Sequence, residues 1–229
     1  EGKRGFYAAY CPDANPEALL NNPEGKWQLH ETSIKPWPSC RHTHPAIDAA
    51  LEISIQLKGE IPESIELGVY QSALDVCDKP NPDSLYDAKF SLQHCVSIAI
   101  LCGQVGFDSF ESEARQQASG LAKKFSLKCN EEFEKAYPDA WGAEVKVKLS
   151  NGEEICVRRK HAKGDPDAPL SPAEMREKAA MLFSYGGVPD PENWVERILK
   201  LPGEPSFRDS DLHQLLDVSG NGQWSMKDA

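Results

Sequence analysis

The 229-residue chain has no C-x-x-C pair, no G-x-S-x-G turn, no phosphate-cradling glycine loop and no H-E-x-x-H. These absences exclude zinc-ribbon spacing, the nucleophile elbow of serine hydrolases, P-loop phosphate chemistry and helix-borne zinc proteolysis. No apolar run approaches the length of a bilayer span, and residues 1–10 carry no signal-peptide core. Positive charge is scarce: 25 Lys and Arg face 36 Asp and Glu, a net charge of −11. That balance argues against nucleic-acid binding, which needs a basic face to neutralise phosphates. The seven cysteines are an odd, scattered set without metal-ligand spacing, which fits reduced thiols in a cytoplasmic protein.

What is present describes an ordinary globular chain, 40% hydrophobic and 27% charged, long enough to bury a real core. The acidity is uneven. Residues 1–45 hold five acids and five bases, so the whole excess lies beyond them, and no acid occurs between Glu31 and Asp48. Within that gap, Lys35-Pro-Trp-Pro-Ser-Cys-Arg-His-Thr-His44 places one Lys, one Arg and two His directly before an amphipathic run, Pro45–Leu57. A helix start offers unpaired N–H groups and the positive end of its dipole, so added cations there suit a carboxylate or phosphate.

Around this motif the periodicity predicts a lead-in over 1–26 with a short helix near Pro16–Leu20, then a strand over Trp27–Ile34. Ile47, Ala50, Leu51 and Leu57 give the Pro45 helix its apolar face, and Gly59 ends it. Ser64–Tyr70 alternates as a strand, and Tyr86–Cys102 reads as one helix stopped by Gly103. Ser112–Lys124 reads as a polar helix. Val145, Val147 and Leu149 pass through Asn151-Gly152 to Ile155 and Val157 as an antiparallel hairpin. Helices follow from Pro172 to Phe183, at Glu192–Leu199 and at Asp209–Asp217. The expected architecture is α+β: a small mixed domain over 27–170, then a helical segment over 171–229.

The motif at 35–50, Lys-Pro-Trp-Pro-Ser-Cys-Arg-His-Thr-His-Pro-Ala-Ile-Asp-Ala-Ala, resembles the signature of the MmgE/PrpD family of 2-methylcitrate dehydratases, cis-aconitate decarboxylases and iminodisuccinate epimerases. Gly2–Tyr10, Asp87–His94 and the stretch Asn151–Lys178 are similar to further family segments, in the same order. The resemblance implies a lid-type α+β domain whose terminal helices return to an all-helical domain that precedes the point where this sequence starts. It also implies a lyase or epimerase working on small di- or tricarboxylic acids without metal or organic cofactor, commonly as a homodimer. The main acid/base groups would then come from the helical domain or a partner chain, and this chain alone is expected not to turn over. A non-catalytic carboxylate-binding or assembly module is the competing expectation.

The catalytic candidates are His42 and His94; the substrate-binding candidates are Lys35, Arg41, Cys40, His44 and Tyr86. Arg41 suits a bidentate grip on carboxylate, and His42 can exchange protons near neutrality. Lys35, by resemblance, meets a substrate carboxylate. His44 is expected to be structural, and Cys40 to line the site rather than act as a nucleophile. His94, by resemblance, is a polar wall group one helix away, with Tyr86 and Lys89 weaker. A metal at His42 and His44 lacks a third ligand at usable spacing. Asp217–Asp228 imitates a calcium loop, with oxygen ligands at positions 1, 3, 5 and 9 and Gly at position 6, but Asp replaces the closing Glu.

Overall fold

In a computed structural model of the protein, which describes residues 27–200 together with Gly5, Phe6, Tyr10, Cys11, Asp13, Asn15, Glu17 and Gly25, the run after the cationic motif forms α1 (His44–Leu57). Its buried positions, Ala46, Ile47, Ala49, Ala50, Ile53 and Leu57, recur at helical spacing. Lys58, at φ 49°, and Gly59, at φ 92°, turn the chain out through the left-handed region and end the helix. The chain forms two compact units that divide after Pro169.

The first unit is built on a four-stranded sheet of order β2-β1-β3-β4. β1 (Ser64–Val69) pairs in parallel with β2 (Phe125–Cys129) and antiparallel with β3 (Ala143–Lys148), which forms the Asn151-Gly152 hairpin with β4 (Glu154–Arg159). A parallel pair cannot be joined by a tight turn. The chain therefore leaves β1 through α2 (Gln71–Cys77), α3 (Leu85–Lys89), α4 (Leu92–Cys102) and α5 (Ser112–Ala122) before returning as β2. α6 (Glu131–Ala136), capped by the Asn130 side chain on the Glu132 and Phe133 amides, leads into β3. Ile65, Leu67 and Val69 of β1 share a buried face with Val145 and Val147 of β3 and Val157 of β4. α1 covers the β3–β4 half of the sheet and also packs on α4, whose residues Leu92–Ile100 are all buried. Arg159 at the end of β4 bonds Asp48 and Glu52 of α1, fixing helix to sheet.

The second unit holds α7 (Pro172–Tyr185) and α8 (Pro191–Lys200), packed on each other. Ser171 and Glu174 form a reciprocal capping box at the start of α7. Among the described residues there are thus eight α-helices and one mixed sheet. No helix among them is long and apolar enough to cross a membrane.

Two expected elements differ. Trp27–Ile34 is no strand but a 3-10 turn, Gln28–Glu31, and an extended tail, because Trp27 and Leu29 are 72% and 77% exposed and have no face to bury. The single helix expected over Tyr86–Cys102 is broken at Phe90-Ser91. Ser91 adopts extended angles and its hydroxyl caps the His94 amide at 3.0 Å, opening a new helix. β2, α2 and α6 were not foreseen. The Asp209–Asp217 helix, the Asp217–Asp228 loop and all but Glu17 of the Pro16–Leu20 helix lie outside the described residues.

Candidate functional site

Three chain segments meet at one end of the sheet. The register sets Gly68 against Glu144 and Ala143 against Arg159, so the exit of β1, the entry of β3 and the exit of β4 are neighbours. Each supplies a residue: Tyr70 directly after β1, Trp141 two residues before β3, and Asp165 from the loop that follows β4. The motif before α1 enters the same place as a 3-10 turn, Arg41–Thr43. It is held there from within, by Ser39 Oγ against Thr43 Oγ1 at 2.9 Å and the Thr43 hydroxyl donating to the Cys40 carbonyl at 2.8 Å. The Cys40 amide donates to the Lys89 carbonyl at 2.9 Å, tying the turn to the end of α3.

Arg41 grips a carboxylate, but one supplied by the protein. Its Nε and Nη2 meet the two oxygens of Asp165 at 3.1 and 2.8 Å, a bidentate fork, and its guanidinium carbon lies 4.0 Å from the Trp141 ring centre. The Asp165 side chain is 8% exposed and that of Arg41 30%, so this pair is largely enclosed. Nothing in the 35–44 motif points to an acid 124 residues away. The 161–168 loop reaches Arg41 because Gly164, at φ +92°, lies against the Ile34 carbonyl, where any Cβ would collide. In return the Gly164 carbonyl accepts from the Ile34 amide at 2.8 Å, one residue before Lys35. That single backbone clamp brings Lys35 and Asp165 into one neighbourhood.

Lys35 donates to the Ser39 carbonyl at 3.1 Å and, among the described residues, forms no ion pair. An ammonium has three donors, so this exposed group keeps capacity for an anion. With Arg41 balanced by Asp165, Lys35 carries the site's uncompensated positive charge.

His42 stacks on Trp141, ring centres 4.6 Å apart, and its Nδ1 is 2.7 Å from the Tyr70 hydroxyl. Tyr70 is fully buried and stacks in turn on Tyr137 at 4.5 Å. Burial, and then the neighbouring Tyr137, push the Tyr70 phenol far up, so it stays protonated. Burial, and then Arg41, push His42 down, so it is a neutral imidazole near pH 7. A neutral phenol–imidazole pair leaves Nε2 as the working nitrogen. It is a base when Nδ1 holds the proton, and a hydrogen-bond donor when the phenol donates instead.

His44 is 1% exposed and sits edge-on to Trp37, ring centres 5.4 Å apart, with its Nε2 unpartnered. Burial, helped by Lys35, lowers it to about 4, so it is an uncharged interior group. Cys40 is half-buried and packs against the core cluster that contains Cys77. His94 is buried under a different set of partners: its Nε2 lies 2.8 Å from the Ser109 carbonyl and its ring packs near Phe110. Tyr86 is 65% exposed and lies on Phe90. The geometry thus assembles Lys35, Cys40, Arg41, His42 and His44, and gives His94 and Tyr86 surroundings of their own. Asp165, Tyr70, Tyr137 and Trp141 are the site residues that sequence reasoning missed. Among the described residues, no three His, Cys, Asp or Glu side chains converge as a metal-binding group.

Mouse (Mus musculus) cis-aconitate decarboxylase is similar to this chain, 26% identical over 185 residues. The match takes in 77% of the chain and 37% of that protein, so the chain spans little more than a third of the length of this curated relative. The family model of the MmgE/PrpD C-terminal domain matches residues 37–199, from the Pro-Trp-Pro turn to the last described helix and across Arg41, His42, Tyr70, Trp141 and Asp165. On a match of that extent, the chain belongs to the MmgE/PrpD family.

Proposed function

We propose that this chain is the C-terminal portion of a lyase or epimerase for small di- or tricarboxylic acids, and that it contributes the carboxylate-binding part of the active site. The observation that carries the reading is the uncompensated Lys35 ammonium beside the start of α1, with the Arg41–Asp165 fork and the His42–Tyr70 pair brought to the same end of the sheet. Removal of water, removal of CO2 and inversion of a centre all pass through charge developing next to a carboxylate. A cation that holds that carboxylate and a neutral imidazole that relays a proton are what such a transition state needs from this side. The remaining acid/base groups belong to the rest of the full-length protein, in a preceding helical domain or a partner subunit. The similarity to cis-aconitate decarboxylase makes unsaturated tricarboxylates the first ligands to try.

The test is calorimetric titration of the folded chain with cis-aconitate, with proton NMR on the same samples to follow turnover. We expect saturable binding without turnover. Lys35→Ala should weaken binding roughly tenfold, the worth of one charge-assisted hydrogen bond. Circular dichroism and melting should be unchanged, since the side chain is exposed. Absence of binding, or equal affinity in Lys35→Ala, sinks the assignment of this face to the carboxylate. Turnover by the chain alone would place the acid/base groups within these residues.

A further inference from the structure

One hydrogen bond in the site has a direction that decides what His42 can do. The Tyr70 hydroxyl oxygen and His42 Nδ1 lie 2.7 Å apart, and either atom can carry the shared hydrogen. Both rings are fixed from the side. Tyr70 follows β1 directly, its carbonyl accepts the Ala73 and Leu74 amides, and its ring stacks on Tyr137 at an interplanar angle of 15°. His42 stacks on Trp141 at an interplanar angle of 22°, and the Trp141 indole N–H donates to the Pro138 carbonyl at 3.1 Å. The contact is therefore held by its surroundings and not by the bond alone.

The enclosed side of the pair settles the direction. Tyr70 is 0% exposed, and among the described residues His42 Nδ1 is the one hydrogen-bond partner of its hydroxyl. If Nδ1 held the hydrogen, the phenol would accept it and its own O–H would point at no acceptor. A buried donor left without an acceptor is costly. Arg41, a charged neighbour of the phenol, has only donors and is already forked on Asp165. On the other side, His42 Nε2 has no protein partner among the described residues, and the half-buried ring leaves it to water. Water can accept from an Nε2–H or donate to a bare Nε2, so that side has little preference.

We propose that Tyr70 is a positioning residue: its hydroxyl donates to His42 Nδ1 and fixes the neutral ring with its hydrogen on Nε2. His42 then meets a ligand as a hydrogen-bond donor and not as a base. The inference rests on the carboxylate reading above, and gives the relay at His42 one direction, outward from Nε2 to a carboxylate or to charge developing beside it. Proton abstraction falls to groups outside this pair. Lys35 and His42 thus offer an anionic ligand two donors of different kinds, one charged and one neutral. An unsatisfied buried donor is worth roughly 5- to 150-fold, and the Nε2–H form dominates by a ratio of that order.

The experiment is long-range proton–nitrogen NMR of the nitrogen-labelled full chain above pH 7, where the lowered His42 is neutral. Its signals are identified by their loss in His42→Gln. We expect a protonated Nε2 and a bare Nδ1. In Tyr70→Phe, which removes only the hydroxyl, the ratio of the two forms should fall by roughly tenfold. A hydroxyl with a merely structural role would lower the melting temperature and leave that ratio alone. A wild-type ring protonated at Nδ1 overturns the proposal, as does an unchanged ratio in Tyr70→Phe. Should that variant fail to fold, the wild-type spectrum decides alone. Added cis-aconitate should shift the Nε2 resonance of the wild-type chain. Calorimetric binding without that shift would overturn donation by His42. Absence of calorimetric binding would sink the carboxylate reading instead, and the hold of Tyr70 on the ring would still stand or fall on the spectrum.

Discussion

At the residue scale, the cationic cluster read from the sequence is real in composition but differs in its charge balance. Arg41 is matched by Asp165, and the cost of separating them is testable. Asp165→Ala leaves a guanidinium, 30% exposed on its side chain, without its carboxylate. Partial solvent access keeps the penalty below that of a fully buried pair, so we expect a loss of about 1–3 kcal/mol, read as a lowered urea midpoint at pH 7. A loss under about 0.5 kcal/mol would mean that the loop is held by Gly164 alone. His44 gives a second expectation. Its folded value lies near 4, below the ordinary 6.5. The unfolded chain therefore binds the proton first as pH falls, and the stability contributed by the neutral buried ring is present above about pH 6.5 and lost on the way down to about 4. The full span is worth about 3 kcal/mol at most. His44→Gln should flatten the fall in stability between pH 6.5 and 4 by about one proton; an unchanged slope would show that His42 or His94, both also lowered by burial, carries it. Lys35, Arg41 and His42 were legible because they cluster in ten residues. Tyr70, Trp141 and Asp165 were not, because each is unremarkable among its sequence neighbours: strand register brings in Tyr70 and Trp141, and the Gly164 clamp on Ile34 brings in Asp165.

At the element scale, what could be read followed the strength of the local signal. α1 and the Asn151-Gly152 hairpin were legible because burial is periodic and the turn residues are specific. β2 was not, because it is an edge strand whose only partly buried side chains are Phe125 and Leu127. The break in the helix at Ser91 was hidden by apolar residues that continue the 3–4 spacing across it; only the cap geometry reveals it. Gly164 is the element-scale position where one atom matters most. Its left-handed φ and the Ile34 carbonyl both exclude a side chain. Gly164→Ala should cost about 1–3 kcal/mol or more, and should detach the 161–168 loop from the strand-like tail at Ile34. Hydrogen exchange reads this directly: the Ile34 amide should lose its protection while those of Val145 and Val147 keep theirs. Retained protection at Ile34 would mean that the backbone clamp survives by local rearrangement.

At the scale of the whole molecule, the mixed α/β architecture was legible because the hairpin and the long helices set the layer type, and the order of motifs carried the family. The distribution of the core was less so. The main buried cluster runs from Trp37 to Val157, wholly within the first unit. In the second unit α7 buries none of its residues, and Val195 is the buried apolar residue of α8. The Pro172 and Glu192 helices read from sequence look as competent as any others, because helix signals report a potential element and not how much of it is buried. The cooperative stability should therefore reside in residues 1–169. A chain ending at Pro169 should unfold in a single transition with a urea midpoint close to that of the 229-residue chain and an m-value only slightly smaller, since m follows the surface exposed on unfolding. If the shortened chain is instead unfolded, or loses several kcal/mol, the sheet and α1 depend on the helices that follow them. A matched midpoint would make the α7–α8 pair a separable appendage, and would show that the Lys35, Arg41 and His42 face is held in place by its own core.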